Sequence, residues 1–457
     1  MTTPLRRGLR APGHQRGVAL VLVLVLLLGL SGLVGVYLTV SRLEPQISRN
    51  LAAAVQARYL AEAGIERGFN VLITTAEAGG GWSGLLAGAT TARPWVPIAG
   101  LTNTALGAGT AGTFSVTIRN DNGAADTLLT GLGTTSRPPM DNSPSVDANG
   151  MVIMRSAGTF RGLTKTIEVV VRRAEVPQFA GAISIPGLAL DTALDASTLD
   201  IDGRDYGCSA AAGACDLTSN WTVTAQPLKY GVAVRPGAEA SVESALATPS
   251  QRDAVKGRSR SAAAGPYATG HDTVAGDDGL TTARMDDFVS AVATNPATTV
   301  LQSTPACPVV VTGGATGATN APTVSNGCGP TSAAYLGSRQ DPRVVFVRGD
   351  VTLDQGLRGA GLLVVQDGQL TSSGDLEWDG LVVVAGRATA LIMAGRGRTT
   401  IRGGAIASES SASGTAGAAE VSIRAAGGSV SIRASKQNVE MVQAMRALHS
   451  ITNWREL

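Results

Sequence analysis

The sequence predicts an α+β protein: one long N-terminal helix, then a small antiparallel sheet, then a large β domain of solenoid type, a parallel β-helix. Three observations predict it. Residues 18–40, VALVLVLVLLLGLSGLVGVYLTV, form an uncharged run long enough, at about 1.5 Å per residue, to span a hydrocarbon core. Residues 49–72 carry on from it with apolar side chains at helical spacing. Residues 344–406 then repeat strand-length apolar pieces roughly every ten residues, with Gly-Asp, Asp-Gly or Gly-Arg between them.

The composition agrees. Of 457 residues, 57 are glycine, while only 4% are aromatic and 16% charged. Such a chain suits short strands and tight turns better than helical bundles, and its aliphatic core must be built by repetition because few side chains bury a large area singly. The net charge of +2 gives no electrostatic signature of a nucleic-acid binder, and none is expected as a partner.

Residues 1–17 carry Arg6, Arg7, Arg10 and Arg16 and no acid. A basic flank before the apolar run leaves the N-terminus cytoplasmic and exports everything after Val40. The run is too long for an ordinary cleaved signal, and no small-x-small site follows it closely. Beyond it, Ile47, Leu51, Val55 and Tyr59 recur every fourth residue, and Ile65, Phe69 and Leu72 extend the stripe, which makes an amphipathic helix able to lie under a globular head. Pro45 should kink this helix where it leaves the membrane. Gly29, Gly32 and Gly35 fall at three-residue spacing, which suits close helix packing, though glycine is also simply common in membrane helices.

Two motifs in this region carry a family resemblance. Gln15-Arg16-Gly17 runs directly into Val18-Ala19-Leu20, and Ala61-Glu62-Ala63-Gly64-Ile65-Glu66 follows the apolar run. Together they resemble the PilX family of minor pilins and related pilus-assembly proteins, over about the first 75 residues. The resemblance implies a class III leader, residues 1–17, cut by a prepilin peptidase between Gly17 and Val18. A glycine suits an extended cleavage site because no side chain stands in the way. It also implies that Val18 to Val40 remain as the anchor. In most prepilins the fifth mature residue is a glutamate; here it is Leu22, a departure from the pattern. A plain uncleaved signal anchor is the competing reading.

Downstream, residues 79–100 read as a loop, and Phe114, Val116 and Ile118 alternate as a half-buried strand. Residues 151–173 read as two strands around a turn at Arg161-Gly162. With residues 114–118 they make a small sheet on the helix, the general pilin plan. The expected layout is therefore an anchor and pilin helix over 18–75, a pilin-like sheet over 76–177, a solenoid-like domain over 178–435 and a C-terminal helix and tail over 436–457, helical from Lys436 to His449. An antiparallel sandwich is the alternative for the large domain. Residues 240–300 interrupt its strands, with a polar, basic stretch at 250–261 and a short helix over 281–294 that sets Met285, Phe288, Val289 and Val292 on one face. The ending Trp454-Arg455-Glu456-Leu457 resembles the "WRE" ending of the same proteins, with Trp454 as a packing anchor.

Candidate chemistry is sparse. Only His14, His271 and His449 are present, with no His/Cys metal spacing, nucleophile elbow or phosphate loop, and no cofactor or enzymatic activity is expected. Asp200, Asp202 and Asp205 flank Gly203 as a partial calcium-loop pattern, and a polar turn is the plainer reading. Arg252, Lys256, Arg258 and Arg260 lack the interleaved aromatics of a nucleic-acid surface and read as a solvated loop. The glycines of residues 313–320 lack the Lys-Ser/Thr of a phosphate loop and read as a loop spanned by Cys307 and Cys328. In an exported chain the four cysteines Cys208, Cys215, Cys307 and Cys328 favour disulfides; pairing of sequence neighbours is the simplest of three connectivities.

The resemblance implies a structural minor pilin of a type IV pilus, in the inner membrane with its bulk periplasmic or displayed on the pilus. Its partners would be prepilin peptidase, other minor pilins, the assembly machinery and a tip adhesin. A large pseudopilin of a type II secretion system, and an anchored β-helix that binds or degrades carbohydrate, are the rival readings.

Overall fold

The computed structural model describes residues 16–75, 81–107, 111–122, 141–187, 190–194, 198–209, 215, 220–261, 265–295, 298–314, 318–326, 328, 331–387, 389–393, 397–409, 419–424 and 428–457. It is an α+β protein: a long apolar N-terminal helix followed by a large β-rich region.

Helix α1, Arg16–Thr74, is 59 residues long, about 90 Å at the α-helical rise. It continues through Pro45 without a break. Its two halves differ in partner. From Val18 to Leu43 the large apolar side chains are exposed. From Ala57 onward one face is buried: Ala61, Ile65, Phe69 and Leu72 pack on Phe114, Val116, Val152, Met154, Ile167 and Val169. Gly64 of the A-E-A-G-I-E motif sits where a Cβ would meet Ser156 and Phe114, so this small residue sets how closely helix and sheet approach. The indole of Trp82 donates to the Leu72 carbonyl at 2.8 Å, satisfying an acceptor that the helix end leaves open.

The sheet under α1 is antiparallel. Strands β1 (Gly112–Asn120), β2 (Met151–Phe160) and β3 (Leu163–Arg173) pair in sequence order. Arg161 and Gly162, both at positive φ (50° and 81°), make the tight turn between β2 and β3, the backbone twist that two-residue hairpins favour. The expected loop over 79–100 holds more order than loop composition suggests: Trp82 and Leu86 are buried, and Val96–Pro97 pairs with β1.

In the larger region the chain alternates between two sheets. Strands β4 (Thr299–Gln302), β5 (Arg343–Arg348), β6 (Leu357–Gln366), β7 (Leu376–Gly386) and β8 (Arg398–Glu409) pair in parallel in the first. The short strands Val309–Thr312, Val351–Asp354, Gln369–Ser372, Ala390–Met393 and Ala419–Ile423, which follow them in the chain, pair in parallel in the second. Among the described residues, neither sheet closes on itself. Gly361, Gly380 and Gly403 stack in register across β6, β7 and β8, all at positive φ between 117° and 142°. A Cβ on any of them would strike the backbone of the strand beside it. At Gly403 the neighbours diverge: Arg398–Gly403 pair with Ser429–Ala434, whereas Ala405 and Ile406 pair with Ile183 and Ser184.

After these glycines the strands are covered on both faces. Leu363, Val365, Val382 and Val384 point into one core. Leu362, Val364, Leu381 and Val383 point into another, closed by helix Thr282–Ala293 through Met285, Phe288, Val289 and Val292. Burial on both faces explains the unbroken apolar runs, at about 1.5–3 kcal/mol for each large aliphatic side chain buried.

Three expectations need correction. Residues 240–300 do not simply interrupt the strands: Val255–Arg258 and Val274–Gly276 are parallel members of the large sheet. The tail is helical only over Lys436–Gln443 and briefly at Arg446–Leu448; His449–Glu456 is strand β9, which returns to the small sheet and pairs antiparallel with β3. β3 would otherwise be an open edge, and the Ile451-Thr452 pair suits a strand. Finally, Trp454 is 59% exposed and anchors no core.

Candidate assembly surface

Among the described residues, α1 is the one helix long and apolar enough to cross a membrane, by length and composition. Arg16 and Gly17 lie in its first turn, with Val18 directly after. Leu22 is exposed, like its neighbours through Val40. A Cβ at Gly29, Gly32 or Gly35 would meet nothing within 4 Å, so their smallness serves no contact inside the chain. Thr39 Oγ1 donates to the Gly35 and Val36 carbonyls, each at 2.8 Å, which hides its hydroxyl within the helix.

Past the apolar run, Ile47, Leu51, Val55 and Tyr59 remain exposed along one line of α1. This line ends in a cleft of about 580 Å³ between α1, β3 and β9, walled by Tyr59, Ile65, Ile167, Val169, Ile451 and Trp454. Charged pairs fix its walls. Arg58 donates to Glu62 at 2.9 Å and lies 6.0 Å from the Trp454 ring. Lys165 pairs with Glu456 at 2.8 Å, and Arg446 with Glu66 at 3.2 Å. The hydrogen bond from Lys165 holds the Glu456 carboxyl below the usual range. Under the sheet, Glu168 is fully buried between Arg155 and Arg455. Arg155 in turn lies 3.9 Å from the Trp95 ring, a cation–π contact.

His449, the first residue of β9, is a buried titratable group beside the helix. Its ring lies between Phe69 (centroids 6.4 Å, edge-on) and Trp82 (6.0 Å). Nδ1 is 3.0 Å from the Met445 carbonyl, and Nε2 has no partner. Burial pulls its pKa down to about 4, and the nearby Arg173 guanidinium acts in the same direction.

The acids singled out by sequence are already engaged. Asp200 and Asp202 lie in a strand, Leu199–Asp202, rather than a turn. Asp200 is held by Lys256 at 3.0 Å and Arg433 at 2.9 Å, Asp202 by Arg204 at 2.6 Å and Tyr206 at 2.8 Å. Asp205 accepts from Thr224 and from the Lys436 backbone. The three carboxylates therefore serve separate contacts, and no group of three metal-ligating side chains forms among the described residues. The basic run is likewise structured, correcting the loop reading. Arg252 sits on helix Pro249–Ala254, and Lys256 and Arg258 on a strand. Arg260 pairs with Glu243 at 2.8 Å.

The cysteines pair as Cys208–Cys215 and Cys307–Cys328. Next to the first bridge, Trp221 donates its indole N–H to the Cys215 carbonyl at 2.8 Å and lies under Arg339 and Arg402. Of residues 313–320, positions 315–317 lie outside the described residues. Sequence reasoning missed Glu168, Arg455 and His449. For the first two the available signal was the alternation of β3 and of the last residues; for His449 there was none.

No family model matches the sequence, and no curated protein matches it. Among solved structures, the crystal structure of the competence-associated pilin ComZ from Thermus thermophilus matches at 12% identity, covering 89% of this chain and 97% of that chain, with a TM-score of 0.24. A superposition of that quality does not establish a shared fold.

Proposed function

We propose that this chain is a non-enzymatic, pilin-like structural subunit that takes part in type IV pilus assembly. The observation that carries the reading is the division of α1. Its first half exposes apolar side chains on all sides, while its second half is the core helix of an antiparallel sheet of the same chain. Such a helix needs an apolar environment for one half and supplies a globular head with the other. In this reading prepilin peptidase cuts between Gly17 and Val18, and Val18–Val40 holds the protein in the inner membrane before assembly. The alternating parallel strands form a β-solenoid that is displayed outside the cytoplasm to other minor pilins or a tip adhesin.

Leu22 favours a place at or near the tip. A carboxylate at that position would neutralise the free amine of a neighbouring subunit within an apolar core, offsetting the cost of burying that charge. A subunit with leucine cannot do this, and is least penalised where it has no predecessor. The test is intact-mass analysis of the protein from cells, together with quantitative mass spectrometry and tip-versus-shaft immunogold labelling of sheared pili. The reading expects a mature start at Val18 and sparse labelling at filament ends. Retention of residues 1–17 in a strain with prepilin peptidase, or labelling along the shaft, contradicts it.

A further inference from the structure

The two large sheets are finished differently at the end where β4 lies. In the second sheet the last parallel strand, Val309–Thr312, is covered by antiparallel Thr323–Ser325, which pairs with Ser332–Ala333. The Cys307–Cys328 bridge ties this cover down. In the first sheet, β4 is terminal in the strand order and pairs on one side only, with β5, among the described residues. Its residues, Thr299 to Gln302, include no charge and no proline, the usual guards of an open edge. Val300 is exposed on it.

A cleft of about 950 Å³ opens at this edge, walled by Leu301, Val311, Val324, Leu336, Val345 and Met445. It exposes the end of the column of aliphatic side chains that is continuous through the rest of the domain. The charges around it are already neutralised in pairs: Arg343 with Asp341 at 2.7 Å, and Arg446, on the segment leading into β9, with Glu66 at 3.2 Å. An occupant therefore has to offer backbone hydrogen bonds to a strand edge, apolar side chains to a cleft, and no net charge.

We infer that the β4 edge and its cleft form an acceptor site for an extended, uncharged polypeptide strand of another protein. The incoming strand pairs with β4 and sets alternate apolar side chains against Leu301 and Val345, capping the first sheet as the disulfide-tied hairpin caps the second. This site is independent of the membrane segment and of any filament role, so it stands or falls apart from the pilin-like reading.

The test uses the full-length chain in lipid nanodiscs and a fluorescent synthetic peptide, Leu-Val-Val-Val-Ala-Gly, which copies residues 381–386. A counterpart with proline in place of its third residue is the control. The expected result is saturable binding by anisotropy, at least about tenfold weaker for the proline peptide and for the Val300→Lys protein. Hydrogen exchange should show new protection at residues 299–302 alone. Val300→Lys places a charge on the outer side of the edge, and its near-UV circular dichroism should match the parent. Absence of binding, equal binding of the proline peptide, equal binding by Val300→Lys, or protection elsewhere overturns the proposal.

Discussion

Glu168 on β3 and Arg455 on β9 are 287 residues apart and directly opposed, with Arg455 donating to Glu168 Oε2 from Nε at 2.9 Å and from Nη2 at 2.6 Å. On the other side of Glu168, Arg155 of β2 donates from Nε at 2.6 Å. One buried carboxylate thus joins three adjacent strands.

Removing that carboxylate should be more harmful than removing either arginine. Glu168→Leu leaves two guanidiniums facing an apolar side chain, and should cost about 3–5 kcal/mol. Arg455→Met leaves Glu168 still paired with Arg155 and should cost less. Denaturant unfolding of the two variants gives the order; equal losses would mean that Arg155 gives no support.

The glycine column makes a sharper demand. Gly380→Ala forces a Cβ into the Gly361 backbone at a φ of +140°, and the expected result is loss of several kcal/mol or failure to fold. Gly107→Ala, where a Cβ would meet nothing, should change stability by less than about 0.5 kcal/mol. Thermal unfolding of both checks the contrast.

Acid should loosen the junction at His449. Its folded pKa, about 4, lies below the ordinary value near 6.5. The unfolded chain therefore binds the extra proton first, and stability falls as pH drops from about 6.5 towards 4. The full effect is about 3 kcal/mol. Burial raises Asp147 and Asp379, and such groups act in the opposite direction on acidification. The measurement is accordingly a difference: the pH slope of the parent minus that of His449→Phe. A slope unchanged by the substitution would remove His449 from the account.

Trp454 should matter to partners and not to folding. At 59% exposure its replacement by serine is expected to leave the unfolding midpoint nearly unchanged. Under the proposed function, co-purification with other minor pilins should fall, because the cleft shared with Tyr59 loses one wall. Undiminished co-purification would exclude this cleft as the contact surface.

Local signals were readable in the sequence. The four-residue rhythm of Met285, Phe288, Val289 and Val292 belongs to helix Thr282–Ala293, and Arg161-Gly162 turns the hairpin it suggests. Apolar runs such as residues 381–385 are strands buried on both faces. What was hidden depends on distant partners. Nothing in residues 449–456 indicates that the strand they pair with ends at Arg173. The two arginines of Glu168 come from the strands on either side of it. The partnered state of Asp200 was equally hidden, since its cations Lys256 and Arg433 lie more than fifty residues away in the chain; Asp202 instead pairs with Arg204, two residues on.

The return of β9 also has a mechanical consequence. β3 ends at Arg173 and β9 begins at His449, and these two residues are paired. The large domain is thus suspended from the small sheet by two cables leaving side by side. A pull on the head draws both the same way, so their mutual ladder is not peeled; the force passes into the ladder between β2 and β3, whose register runs from Met151↔Arg172 to Phe160↔Leu163, and loads it along its length in shear.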